Sequence, residues 1–147
     1  MDNQFYQTAI QINTLGTTFG TLLLRDALLP ELIGEDNNIL YWAGKSLARK
    51  FVVTNDDDLM AFYLDANLGK LQRIKEKKDE LYFELSGQIV QKRQELGKAD
   101  FLLEAGFLAQ SIQQQTGFIS EATIAKQNKN SVIFLVKIDL KDPVETN

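Results

Sequence analysis

Two stretches decide the fold: Ile39 to Phe51, reading ILYWAGKSLARKF, and Phe101 to Ile112, reading FLLEAGFLAQSI. Both are apolar at helical spacing, and each carries a mid-helix glycine, Gly44 and Gly106, where alanine is better by about 1 kcal/mol. Glycine at that cost predicts that another backbone or an aromatic ring approaches closely, so both segments are expected to be close-packed core helices. At 100° per residue the first segment gathers Ile39, Leu40, Ala43, Gly44, Leu47 and Phe51 on a buried face. Tyr41, Trp42, Lys45 and Arg49 fall on the other. Rings beside cations suit an anionic ligand or a partner subunit, or equally a structural stack of Lys and Arg stems on rings. The second segment, opened by Asp100 and closed by Gly117, is apolar on two sides. Phe101, Leu102, Ala105, Leu108, Ala109 and Ile112 line one and Leu103 and Phe107 the other, which predicts a central position. Glu104 on its flank then needs a cation, and an ion pair to Lys45 or Arg49 is expected. As a general acid or base Glu104 has no evident nucleophile, metal or second carboxylate to work with.

The flanking sequence supplies the remaining elements. A first helix is expected from about Thr14 to Leu29, stopping near Pro30, with Gly16, Gly20, Leu23 and Ala27 on one stripe and Phe19 beside it. The spacing of Gly16 and Gly20 is a helix-contact device, while Arg25 and Asp26 exclude a membrane span. A third helix opens at Thr54, where Thr54 and Asp57 form a capping box, and closes at a left-handed Gly69. Asp56, Asp57 and Asp58 lack the alternation, turn glycine and distant glutamate of a calcium loop, so they read as helix capping. Lys70 to Glu76 and Glu80 to Ser86 have strand character and form a hairpin turned at Lys77 to Asp79. Its basic tip, with Lys70, Arg73, Lys75, Lys77 and Lys78, suits phosphate or anionic lipid, or protection of a sheet edge against aggregation. Gln88 to Gly97 is polar and reads as a short helix or an irregular excursion. A second hairpin runs Phe118 to Gln127 and Ser131 to Leu140, turned at Asn128 to Asn130, with the last strand central. Lys141 to Asn147 is expected to fray.

Composition narrows the chemistry. The 147 residues are 44% hydrophobic, enough for one α+β domain spanning residues 1 to 147 that buries roughly 70% of its unfolded surface. With no His and no Cys, the usual zinc sites, imidazole bases, thiol nucleophiles and disulfides are excluded. No metal and no cofactor is expected. A net charge of -4 argues against broad nucleic-acid affinity. The segment MDNQFYQTAIQINT lacks the basic start and apolar run of a signal peptide, and no stretch reaches the roughly 18 apolar residues of a span. A cytoplasmic protein without integral membrane association is the expectation.

Tyr41-Trp42-Ala43-Gly44-Lys45 with Leu47-Ala48-Arg49-Lys50-Phe51, then Leu103-Glu104-Ala105-Gly106-Phe107-Leu108-Ala109, then Lys141-Asp142-Pro143, together resemble the YslB family of Gram-positive bacteria across essentially the whole chain. That family has no established biochemical function. It resembles in turn the fold shared by TRAPP subunits, vinyl-reductase-type domains and haem nitric-oxide sensors. The resemblance implies four main helices packed on an antiparallel sheet of about four strands built from two hairpins, often as a dimer. The chain lacks the acylated cysteine, the axial histidine and the cysteine or histidine ligands of those groups, so only an unmodified apolar cavity can be carried over. Such a cavity is expected between the fourth helix and the sheet, lined by some of Trp42, Phe101, Ala105, Phe107, Leu108 and Phe134.

Two functions follow from different classes. The first is a non-enzymatic homodimeric module for a small molecule or lipid, joined through Gly16, Phe19, Gly20, Leu23 and Ala27 or through the first two helices generally. The second is an adaptor with a fully packed core, docking a heterologous protein on Tyr41, Trp42, Lys45 and Arg49.

Overall fold

The computed structural model describes Gln4 and residues 18–36, 38–97 and 99–145. Helix α1 is one continuous rod of three turn types: α-helical Thr18–Leu22, π-helical Leu23–Leu28 and α-helical Leu29–Ile33. The expected start at Thr14, and Gly16 with it, lie outside the described residues. Pro30 does not stop this helix. The π segment passes the Leu29 amide to the carbonyl of Leu24, five residues back, and Pro30 enters at the head of the next α-helical turn, where its missing N–H costs little. The rod ends at Gly34, whose φ of 63° turns the chain.

Helix α2 covers Asn38–Lys50 and α3 covers Asp56–Asp65. The cap of α3 sits one residue later than expected: Asn55, not Thr54, accepts the Asp58 amide at 2.8 Å. Asn67, at φ 55°, takes the left-handed place assigned to Gly69, and the Leu68 amide bonds back to the Tyr63 carbonyl at 2.9 Å. Gly69 is needed for space. A Cβ there would stand 2.8 Å from the Ser86 carbonyl oxygen, and its φ of 137° is hostile to other residues.

The sheet contains β1 (Lys70–Glu76), β2 (Glu80–Ser86), β3 (Phe118–Gln127) and β4 (Ser131–Pro143), all antiparallel in the order β1-β2-β4-β3. Among the described residues the fold is therefore α+β, with five helices and one four-stranded sheet, and β4 is central as expected. Alternation does its work here: Leu81, Phe83 and Leu85 of β2 and Val132, Phe134, Val136 and Ile138 of β4 all point into the core. The expected frayed tail is instead strand through Pro143, and the Val144 amide bonds the Gly117 carbonyl at 2.8 Å. Gln88–Glu95 forms a short helix, α4, burying Ile89, Val90 and Arg93. Helix α5, Leu102–Thr116, is the buried axle of the molecule, with the sheet on one side and α2 on the other.

Candidate functional site

The glycines behave as their cost implies. A Cβ on Gly44 would meet the Leu103 carbonyl and stand 2.8 Å from the Phe107 nitrogen. One on Gly106 would meet the Tyr41 carbonyl and stand 2.8 Å from its carbon. Helices α2 and α5 thus cross backbone to backbone at two reciprocal points, which places every side chain around the seam. Phe62 of α3 stacks nearly parallel on Phe107 with ring centroids 4.4 Å apart, and Tyr63 meets the same ring edge-on.

Beside this seam lies a buried charge cluster. Glu104 is fully buried and binds Arg25 bidentately, Nη1 to Oε2 and Nη2 to Oε1, both at 2.6 Å. Arg93 adds a bond to Glu104 Oε2 at 3.1 Å, grips Asp26 through Nε at 3.0 Å, donates to the Asp100 carbonyl at 2.6 Å and lies over the Phe101 ring. Two guanidiniums face two carboxylates, so the buried charge balances. Burial pushes the Glu104 carboxyl up, but the Arg25 charge and hydrogen bonds, with Arg93, outweigh it and hold the carboxyl below its ordinary value. The Tyr63 hydroxyl donates to the Glu104 carbonyl at 2.7 Å. Burial first, and the nearby Glu104 charge second, hold the phenol well above its usual range.

The expected partners of Glu104 are elsewhere. Lys45 is buried, yet it bonds Glu121 of β3 at 2.6 Å and lies over the Tyr41 and Trp42 rings; Arg49 is exposed. Tyr41 donates to the same Glu121 and accepts the Ala122 amide at 3.1 Å. The close crossing at Gly44 explains the shift: it turns Gly44, Lys45 and Ala48 inward and leaves Ile39 exposed. Arg25 and Arg93 were the cations missed. Arg25 and Asp26 interrupt the run Leu22-Leu23-Leu24 to Ala27-Leu28-Leu29, and Arg93 shares a helix face with Ile89 and Val90, signals that mark buried charge.

Of the residues expected to line an internal cavity, Phe101, Ala105, Phe107, Leu108 and Phe134 are packed together in the core. Trp42 stands apart, 60% exposed on the outer surface. Clefts among the described residues are lined by other side chains. One of about 230 Å³ lies between α1, the turn after α3 and α5, bordered by Leu24, Asn67, Leu103 and the Arg25–Glu104 pair. Another, of about 440 Å³, is lined by Phe19, Leu22, Leu23, Asp26 and Ala27 of α1 with Leu96 and Ala99. Three residues of the expected dimer stripe, Phe19, Leu23 and Ala27, therefore share this groove. Phe19 is 73% exposed, and Leu23, Leu24, Leu28 and Leu32 are exposed along the same helix.

The triple aspartate belongs to helix architecture: Asp58 is capped by Asn55, and Asp56 receives Arg73 at 2.9 Å. No helix among the described residues is long and apolar enough to cross a membrane.

A solved vinyl-4-reductase family protein from Methanocaldococcus jannaschii superimposes with a TM-score of 0.63, covering 95% of this chain and 97% of that one at 18% identity. That likeness extends to the whole fold and stops there. The uncharacterized protein YslB of Bacillus subtilis (strain 168) is 42% identical over 125 residues, 83% of this chain and 84% of its own. Residues 18–137 match the family described as protein of unknown function DUF2507, and the chain belongs to that family.

Proposed function

We propose that the protein is a single-domain, non-enzymatic homodimeric interaction module whose contact surface is the outer face of α1. One observation carries this reading: α1 turns Arg25 and Asp26 inward to partners on the body and leaves five large apolar side chains exposed. Phe19, Leu23, Leu24, Leu28 and Leu32 are each between 45% and 73% exposed, a density of large apolar side chains on one helix of the kind that marks an interaction site. The exposed Phe19 ring is part of the wall of the groove that Leu23 and Ala27 also line, so a two-fold axis can bring the two copies' grooves together over these side chains. The dense packing of Phe101, Ala105, Phe107, Leu108 and Phe134 supports a surface function over an internal apolar ligand. Glu104, clamped by two guanidiniums, is a poor proton carrier near neutral pH, which supports the absence of acid-base catalysis.

Sedimentation velocity over a range of concentrations tests the reading. The expected result is a dimer that Leu23→Glu converts to a monomer with an unchanged circular dichroism spectrum. A wild-type monomer at all concentrations overturns it.

A second reading, an adaptor for a heterologous protein, draws on Trp42, an exposed ring propped by Tyr41 and Lys45. A loss of partner binding on Trp42→Ala with the self-association intact would favour it.

A further inference from the structure

We propose that Arg25, Asp26, Arg93 and Glu104 form a charge latch holding α1 to the body of the protein, and that α1 releases from it as one unit while the remaining helices and sheet stay folded. The attachment of α1 is unusual in kind. Between Leu23 and Leu28 the only buried residue is Arg25, and Leu29–Ile33 buries none. Leu22 packs half-buried against the core and Asn67 bonds Thr21 at 3.0 Å; the strongest ties described are ionic, Arg25 to Glu104 and Asp26 to Arg93. Charged groups regain water when they separate, so exposing this inner face forfeits far less apolar burial than an ordinary core helix does.

The π segment serves the latch. Arg25 and Asp26 are consecutive residues, and the wider turn lets both reach inward, to α5 and to α4. The network on the α1 side is incompletely satisfied, because the buried Arg25 Nε has no acceptor. On the body side it is closed. When α1 departs, Glu104 keeps Arg93 at 3.1 Å, and Arg93 keeps the Asp100 carbonyl at 2.6 Å, so no bare carboxylate is left behind. A hinge is in place as well: Gly34 holds a left-handed φ of 63° with nothing within 4 Å of where a Cβ would stand.

Hydrogen exchange read by mass spectrometry on the full chain tests this. In Arg25→Leu/Asp26→Asn, which frees α1 yet leaves the Arg93–Glu104 pair intact, exchange across residues 18–33 should rise roughly a hundredfold. Peptides from α5 and β4 should stay within about twofold of wild type. Equal acceleration everywhere, or no change in residues 18–33, overturns the latch. Should that variant fail to fold, wild-type exchange in increasing urea decides instead. The latch requires residues 18–33 to open below the global transition, with a weaker urea dependence than α5, and merging of the two overturns it. Sedimentation of the same samples reports self-association separately, so a monomer with a releasing α1 removes the dimer reading and leaves the latch standing.

Discussion

Gly106→Ala puts the α2–α5 seam to the test. The new methyl would stand 2.8 Å from the Tyr41 carbonyl carbon and 3.2 Å from the Lys45 nitrogen, and nearer still to the Tyr41 oxygen. Ordinary contact begins at 3.4 Å, and a backbone cannot rotate aside as a side chain does, so α2 must lift from α5 as a body. Alanine recovers about 1 kcal/mol of helix propensity. Overpacking a filled core costs about 1–3 kcal/mol. Lifting α2 also draws Tyr41 from the Ala122 amide and Lys45 from Glu121, adding about 1–3 kcal/mol for groups left unpaired. The balance is a loss of about 3 kcal/mol, which lowers the urea midpoint by about 1–2 M with the m-value unchanged. Ser46→Ala, on the exposed side of α2, should hold or slightly raise that midpoint. Gly44→Ala added to Gly106→Ala should cost less than its single effect, since one displacement relieves both contacts. A Gly106→Ala protein as stable as wild type or more so would refute the seam, because the packing cost would then be no larger than the roughly 1 kcal/mol that propensity returns.

Tyr41→Phe leaves the Ala122 amide without its acceptor and should cost about 1 kcal/mol in urea unfolding, with the Lys45–Glu121 pair retained. Stability should fall in acid through Glu104. Its folded pKa lies below the ordinary 4.5, so its contribution is present above about that pH and drains away as pH drops through the folded value; midpoints measured downward from neutral should show a slope that Glu104→Gln flattens. Tyr63 gives the opposite sign. Its phenol is held well above 10, so its contribution is intact below pH 10 and lost as pH climbs toward the folded value. Tyr41, also raised by burial and its bond to Glu121, adds a slope of the same sign, so Tyr63→Phe should shallow the alkaline slope without abolishing it while removing the bond to the Glu104 carbonyl.

Which parts of this architecture could be read from residues alone depends on whether a local rule decided them. Strand alternation needs only neighbours, so Leu81, Phe83 and Leu85 and the run from Val132 to Ile138 declared their buried face directly. The glycine argument worked because a mid-helix glycine is a cost without local compensation, and only a tertiary contact explains it. Helix phase was less informative. The 100° wheel assumes a helix axis that meets its neighbour along the most apolar stripe, whereas the backbone contact at Gly44 sets the axis of α2 and carries Lys45 inside. A π segment defeats the wheel altogether: it shifts the register within Leu23–Leu28, so that Arg25 and Asp26 reach inward together and the leucines on either side turn outward. The cation for Glu104 was therefore sought on the wrong helix. The pair Arg25 and Asp26, read from the sequence only as excluding a membrane span, is the element that ties the run to the body. A charge pair inside such a run, far from any helix end, is better read as a demand for buried partners of opposite sign, and Glu104 and Arg93 were the residues able to meet it.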